Sequence, residues 1–228
     1  MNIMKMIVAI DGPSGSGKST VAAMLSKKLG YMHLDTGAMY RAVALAAVLD
    51  NIPYDDPNRL DELCERIRIE MRQHNDEVSI YLNGRDVTHE IRSPEMSLGS
   101  SAVSSVPEVR SHMVRLQREI GSSGGIVAEG RDMGTVVFPD TPAKFYLDAS
   151  PVERARRRWL QLKEMGVDED RDKVRKEMEE RDYMDASREH SPLQIAGDAI
   201  HFDTTGMTID QVVEKLAARV KELEGSVA

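Results

Sequence analysis

Short unbroken apolar runs alternate along this chain with longer segments whose apolar residues recur every three or four positions. Residues 6–10 form the first run; it is β-branched and lacks polar alternation, the pattern of a strand covered on both faces. A helix is predicted over 18–29, spaced by Val21, Met24, Leu25, Lys28 and Leu29 and stopped by Gly30. Residues 31–34 suggest a second strand ending at Asp35-Thr36-Gly37, and 39–49 a strongly apolar helix broken by Pro53 and Pro57 within 51–58. From about 63 to 91 the period changes to two: Ile67, Ile69 and Met71 alternate with charged residues, as do Val78, Ile80 and Leu82 with polar ones. Asn83-Gly84 is a hairpin signal, with 85–91 as the return strand. Further on, 106–120 reads as a helix with Pro107 in its first turn, and 125–128 and 143–147 as buried strands. Ser150-Pro151 caps an Arg-rich helix ending near Gly166. A charged helix over 170–188, a short strand over 199–202 and an amphipathic helix capped by Thr208 complete the chain.

Strands alternating with helices predict an α/β fold, a parallel sheet with helices on both faces, here carrying a small antiparallel β insertion. The 228 residues are 41% apolar and 30% charged, a globular balance. Aromatics make up 4%, so aliphatic residues and the 14 Met must fill the core. The formal charge of −8 argues against nucleic acid as a partner, and any anionic ligand must be held by a local cluster of Arg and Lys. Cys64 stands alone, with no disulfide partner and no metal-ligand spacing, and reads as a packing residue. The longest apolar stretch, 42–49, is far below the roughly 20 residues of a membrane span, and no signal-peptide pattern precedes the first strand. A cytoplasmic protein with no membrane association is the expectation.

The segment Gly12-Pro13-Ser14-Gly15-Ser16-Gly17-Lys18-Ser19, with Thr20 next, fits G-x-x-x-x-G-K-[ST] in full, between a strand and a helix. Glycines let successive backbone N–H groups turn inward around a phosphate, and the helix adds its positive end. Lys18 is placed to reach β and γ phosphates and Ser19 to offer a hydroxyl to Mg²⁺. This pattern indicates a nucleoside triphosphate and leaves open a small-molecule kinase, a GTP switch, or a motor or other ATPase. No guanine-reading N/T-K-x-D is present, and Asp203-Thr-Thr-Gly206 lies too near the C-terminus for a switch. A kinase additionally needs a grip on a second substrate.

Arginines offer one. Arg41 follows Asp35 and Thr36; Arg131-Asp132 follows a buried strand, at the edge where α/β sheets bind ligands. Arg181, Asp185 and Arg188 are spaced to share one helix face. Arg forks suit phosphate oxygens, although the last three also fit a salt-bridged solvent face, and Arg41 a surface residue.

The four motifs in order, Gly12 to Ser19, Asp35-Thr-Gly-Ala-Met-Tyr-Arg41, Glu129-Gly-Arg-Asp-Met-Gly134, and Arg181-Asp-x-x-Asp185-x-x-Arg188 with Pro192-Leu193, resemble the bacterial cytidylate kinases, within the nucleoside monophosphate kinases. The resemblance extends from about Ile7 to the last helix and implies the P-loop kinase fold, ATP as phosphoryl donor with Mg²⁺, and CMP or dCMP as acceptor. It implies that Arg41, Arg131, Arg181 and Arg188 hold the acceptor phosphate, with Lys18, Arg131 and Arg188 catalytic. Ser101, Arg110 and Asp132 would read the cytosine edge, and Asp185 the sugar. Asp35 and Thr36 would lie near the phosphates, Asp35 holding Mg²⁺ through water. Arg157 or Arg158 would close on ATP from a lid. The implied division is a core over 1–37, 106–153 and 171–228, a monophosphate-binding domain over 38–105 with its β insert at about 63–92, and a lid over 154–170, in a monomer. UMP, AMP, a hydroxyl metabolite as acceptor, or a non-catalytic nucleotide-binding regulator are the alternatives.

Overall fold

The computed structural model describes residues 5–74 and 77–227. The chain runs β1 (Ile7–Asp11), α1 (Lys18–Leu29), β2 (Met32–Asp35), α2 (Thr36–Leu49), α3 (Pro57–Arg66), β3 (Ile69–His74), β4 (Glu77–Leu82) and β5 (Arg85–Asp86). It continues with α4 (Pro94–Val103), α5 (Pro107–Gly121), β6 (Ile126–Gly130), a π-helical turn at Met133–Val137, β7 (Ala143–Asp148), α6 (Pro151–Glu164), α7 (Arg171–Ser187), β8 (Ile200–Asp203) and α8 (Ile209–Val227). Five strands form one parallel sheet in the order β2-β6-β1-β7-β8.

Because strand side chains alternate, the central strands feed two cores. Val8, Ile10, Val127, Phe145 and Leu147 pack with Val21 and Leu25 of α1 and Val212, Leu216 and Val220 of α8. Ala9, Ile126 and Ala128 face the opposite cluster, with Met39 and Val43 of α2, Leu60 and Leu63 of α3, and Val109 and Met113 of α5. A third, smaller cluster of Ala155, Leu162, Val174 and Met178 joins α6 to α7. Among the described residues, no helix is long and apolar enough to cross a membrane.

The antiparallel insertion is present as β3-β4-β5, with Asn83 and Gly84 at φ 52° and 82° in its hairpin turn. Its inner residues Ile69, Ile80 and Leu82 join the α2 core. Three expectations change. The return strand is only two residues long, because the Thr88 hydroxyl takes the Ile80 N–H at 2.9 Å and Asp86 takes the Thr88 N–H at 2.9 Å. Residues 57–66, expected as a break leading into a strand, are α3: Asp56 accepts the Arg59 N–H at 3.1 Å and Pro57 opens the first turn. Residues 94–103 form α4, where no helix was expected, capped by Ser93 at 3.2 Å from the Met96 N–H.

Candidate active site

All five parallel strands end on one side of the sheet, and a cavity of 790 Å³ opens there between the phosphate loop, α4, α6 and α7. The loop between β1 and α1 holds Gly12, Gly15 and Gly17 at φ 149°, 72° and 91°. A Cβ on Gly12 would stand 2.0 Å from the Leu147 carbonyl oxygen, so backbone closeness as well as φ demands glycine. No side chain caps α1, leaving its first N–H groups to the loop. Lys18 is buried and donates to the Pro13 carbonyl at 2.6 Å and to Ser16 Oγ at 3.3 Å. Burial, then Arg131, pushes its ammonium well below the usual lysine range, against Glu129, Asp11 and Asp185. A phosphate arriving here would favour the charged amine.

The arginines of the sequence motifs converge on the same cavity. Asp185, on α7, is their hub: it accepts from Arg131 Nε at 2.8 Å and from Arg188 Nη2. Burial raises the Asp185 carboxyl, but Arg131, Arg188 and Arg181 outweigh it and hold the group below its ordinary range. Arg188 lies one residue beyond α7 with ψ 137°, off the helix rather than on its face, and also donates to Ser104 Oγ at 3.0 Å. Arg41 pairs with Asp35 at 3.1 Å. Arg181 has a buried Nε with no partner, and burial, then Arg131, lowers its guanidinium to about 10. Arg41 Nε is likewise buried and unpartnered. Buried guanidinium N–H groups without acceptors, beside two further arginines, suit a phosphate.

Arg110 and Asp132 form a buried ion pair that lines the same cavity, with Arg110 Nη1 also donating to the Ser104 carbonyl at 3.0 Å. Ser101 is not among the cavity-lining residues; Ser97, Ser100 and Ser104 of the same segment are. Both Asp35 oxygens are engaged, one by the Ala38 N–H at 2.8 Å and one by Arg41. The Thr36 hydroxyl donates to the Glu129 carbonyl at 2.6 Å.

Residues 8–222 match the family described as cytidylate kinase. This chain belongs to the cytidylate kinase family. Cytidylate kinase from Syntrophotalea carbinolica is 49% identical over 218 residues, 96% of this chain and 93% of that protein. Cytidylate kinase from Geobacter sulfurreducens is 46% identical over 219 residues, 96% and 94% of the two chains. An uncharacterized protein from Eubacterium ventriosum shares the fold, with a TM-score of 0.54 over 95% of this chain and 99% of that one at 12% identity.

In this cytidylate kinase family member Arg157 and Arg158 of α6 differ. Arg157 Nε donates to Glu153 at 3.0 Å, Nη1 to the Ser16 carbonyl at 3.3 Å and to Thr204 Oγ1 at 3.0 Å, and Nη2 to the Thr204 carbonyl at 3.0 Å. Arg158 donates to Gln161 at 2.7 Å, and burial, then the neighbouring Arg41 charge, lowers its guanidinium. Arg158 and Arg41 line the same cavity.

The motifs assigned no role to His33, Glu129, Arg154 or Asp182, which the structure ties to the phosphate loop and Ser19. Ser14 is gripped at both ends, its N–H by Asp182 at 3.0 Å and its carbonyl by Arg154 at 3.0 Å, and Arg154 and Asp182 are themselves paired. Glu129 accepts from Ser19 Oγ at 2.8 Å and lies 3.1 Å from His33 Nε2. Burial lowers His33, but Glu129 and Asp35 outweigh it and hold the imidazole above its ordinary value. Among the described residues no cluster of three His, Cys, Asp or Glu could hold a metal by itself. Ser19, with Glu129 and Asp35 nearby, instead fits Mg²⁺, which keeps waters and phosphate oxygens in its shell and takes one or two protein ligands.

Proposed function

We propose that this chain transfers the γ-phosphoryl group of ATP to CMP and dCMP, giving ADP and CDP or dCDP. One observation carries the reading: a phosphate loop and a four-arginine cluster share a single cavity, with the buried Arg110–Asp132 pair beyond them. A hydroxyl acceptor, or a protein that only binds nucleotide, has no use for that cluster.

The loop from Gly12 to Thr20 cradles the donor phosphates, and Lys18 neutralises charge on the β and γ groups. Arg41, Arg131, Arg181 and Arg188 bind the acceptor phosphate and aim one oxygen at the γ-phosphorus. That oxygen is already an anion, so positioning and charge neutralisation suffice without a strong base. Ser19, with Asp35 or Glu129, would hold Mg²⁺, which would supply charge neutralisation at the donor phosphates. Asp132 accepts from the cytosine amino group while Arg110 and Ser101 donate to ring acceptors, and Ser104 steadies the pair by accepting from both Arg110 and Arg188. A uracil carbonyl would face the Asp132 carboxylate unfavourably. Asp185 meets the sugar hydroxyls. Residues 38–105 act as the monophosphate-binding domain and 154–170 as a lid that carries Arg158 inward, excluding water. The same reading has a monomer working in the cytoplasm on small molecules.

ADP release with ATP, Mg²⁺ and each of CMP, dCMP, UMP, AMP and GMP tests this. Turnover confined to CMP and dCMP is expected. Turnover with another monophosphate would discard the base-reading residues, and none at all would discard the acceptor site.

A further inference from the structure

Asp11 ends β1 one residue before the phosphate loop, is 5% exposed, and has no part in the transfer derived above. Its backbone pairs in register with Gly130 of β6. Its side chain reaches beyond that pairing, accepting the Met133 N–H at 2.8 Å and the Gly134 N–H at 2.7 Å. These amides open the π-helical turn, and the leading N–H groups of a helical turn find no partner within it. Asp132, the residue before the turn, gives no side-chain cap. Asp11 supplies the cap from a distant strand. Between its two attachments stand Arg131, bonded to Asp185, and Asp132, bonded to Arg110.

We infer that Asp11 is a positioning residue for the acceptor: it holds both ends of the 130–134 segment and so sets where Arg131 and Asp132 stand relative to the phosphate loop. The inference rests on the reading of those two residues as acceptor contacts. A carboxylate suits the task because it is acceptor-only and offers two oxygens to two N–H groups. An Asn has one oxygen, and its amide N–H₂ would face the second N–H. The location penalises the charge. Burial pushes the Asp11 carboxyl up to about 6, opposed by the Gly134 and Met133 amides, with Asp132 adding to the rise and Lys18 of α1 opposing it. Lys144 of β7 lies on the other side of Gly134, and its ammonium is committed to Asp198 at 2.7 Å. A group kept ionised in the interior at such a cost indicates a need for the two bonds it makes.

Steady-state kinetics on the full chain with ATP, Mg²⁺ and CMP, comparing wild type, Asp11→Asn and Gly134→Ala, test this alongside thermal midpoints. Gly134→Ala perturbs the link from the other side, since its Cβ would lie 3.2 Å from Lys144 Cδ and 3.4 Å from Asp11 Oδ2. Asp11→Asn should raise KM for CMP about tenfold, the loss of one charge-assisted bond, with KM for ATP nearly unchanged. Gly134→Ala should show the same split more weakly, and it carries the test if Asp11→Asn does not fold. Equal changes in both KM values, or none, would overturn the inference. A wild type that turns over ATP only with another acceptor would remove the underlying site reading instead.

Discussion

Arg157 and Thr204 are joined twice, the guanidinium donating to the threonine hydroxyl and to its carbonyl, each at 3.0 Å. A guanidinium so committed, with Ser16 and Glu153 as further partners, braces α6 against the phosphate loop and has little left for a ligand. Arg157→Ala should therefore destabilise the fold by about 1–3 kcal/mol, read as a lower urea midpoint. Arg158→Ala should leave that midpoint in place and lower kcat by about 10²-fold, the scale of a lost transition-state charge contact. The reverse pattern would exchange the two roles.

Removing the hub of the arginine cluster should cost both structure and activity. Asp185→Ala leaves Arg131 and Arg188 without their buried carboxylate, and breaking such a pair costs about 3–5 kcal/mol. The pH dependence has a sign. Asp185 is held below its ordinary value by its arginines, so its stabilisation is complete above the unfolded value of 3.8 and is lost as pH falls through the lower folded value. Acid titration of unfolding should show wild type losing this advantage over Asp185→Asn as pH falls below 3.8.

Glu129→Gln tests the metal side. The Ser19 hydroxyl would keep an acceptor, but the charge beside it would go. The Mg²⁺ concentration for half-maximal activity should rise about tenfold, with KM for CMP little changed. An unchanged Mg²⁺ requirement would confine Glu129 to holding His33 and Ser19.

Asp11 makes the opposite pH prediction to Asp185. Its folded value of about 6 lies above the unfolded 3.8, so its contribution is most favourable below the unfolded value and is lost as pH rises through 6. Wild type should lose about 3 kcal/mol relative to Asp11→Asn between pH 3.5 and 7, by urea titration at each pH.

Much of this was legible in the sequence wherever periodicity and local chemistry agreed. The start and end of α1, the buried parallel strands and the phosphate loop follow from unmixed patterns, and the arginines expected on the acceptor do meet in one cavity. α4 was hidden because its Pro-Glu-Met-Ser-Leu-Gly-Ser-Ser stretch has weak helix formers and no clean apolar stripe. Its Ser93-Pro94 start, like Asp56-Pro57 before α3, was the available signal. The Ser104 contacts with Arg110 and Arg188 were not legible, because spacing defines a stripe but not which member meets a distant partner. Arg157 and Arg158 were indistinguishable inside a charge run, since only the packing of Thr204 against α6 separates them. Asp11's bonds lie between residues too far apart in the chain for any local pattern to reveal.

Each of the five parallel strands ends in, or one residue before its end carries, a carboxylate: Asp11, Asp35, Glu129, Asp148 and Asp203. Four of them take backbone N–H groups from the loops beyond, and Glu129 takes the Ser19 hydroxyl. The sheet edge is nailed down loop by loop, so it serves as an anvil. Through Ser14 of the phosphate loop, Arg154 and Asp182 fasten α6 and α7 to that same anvil.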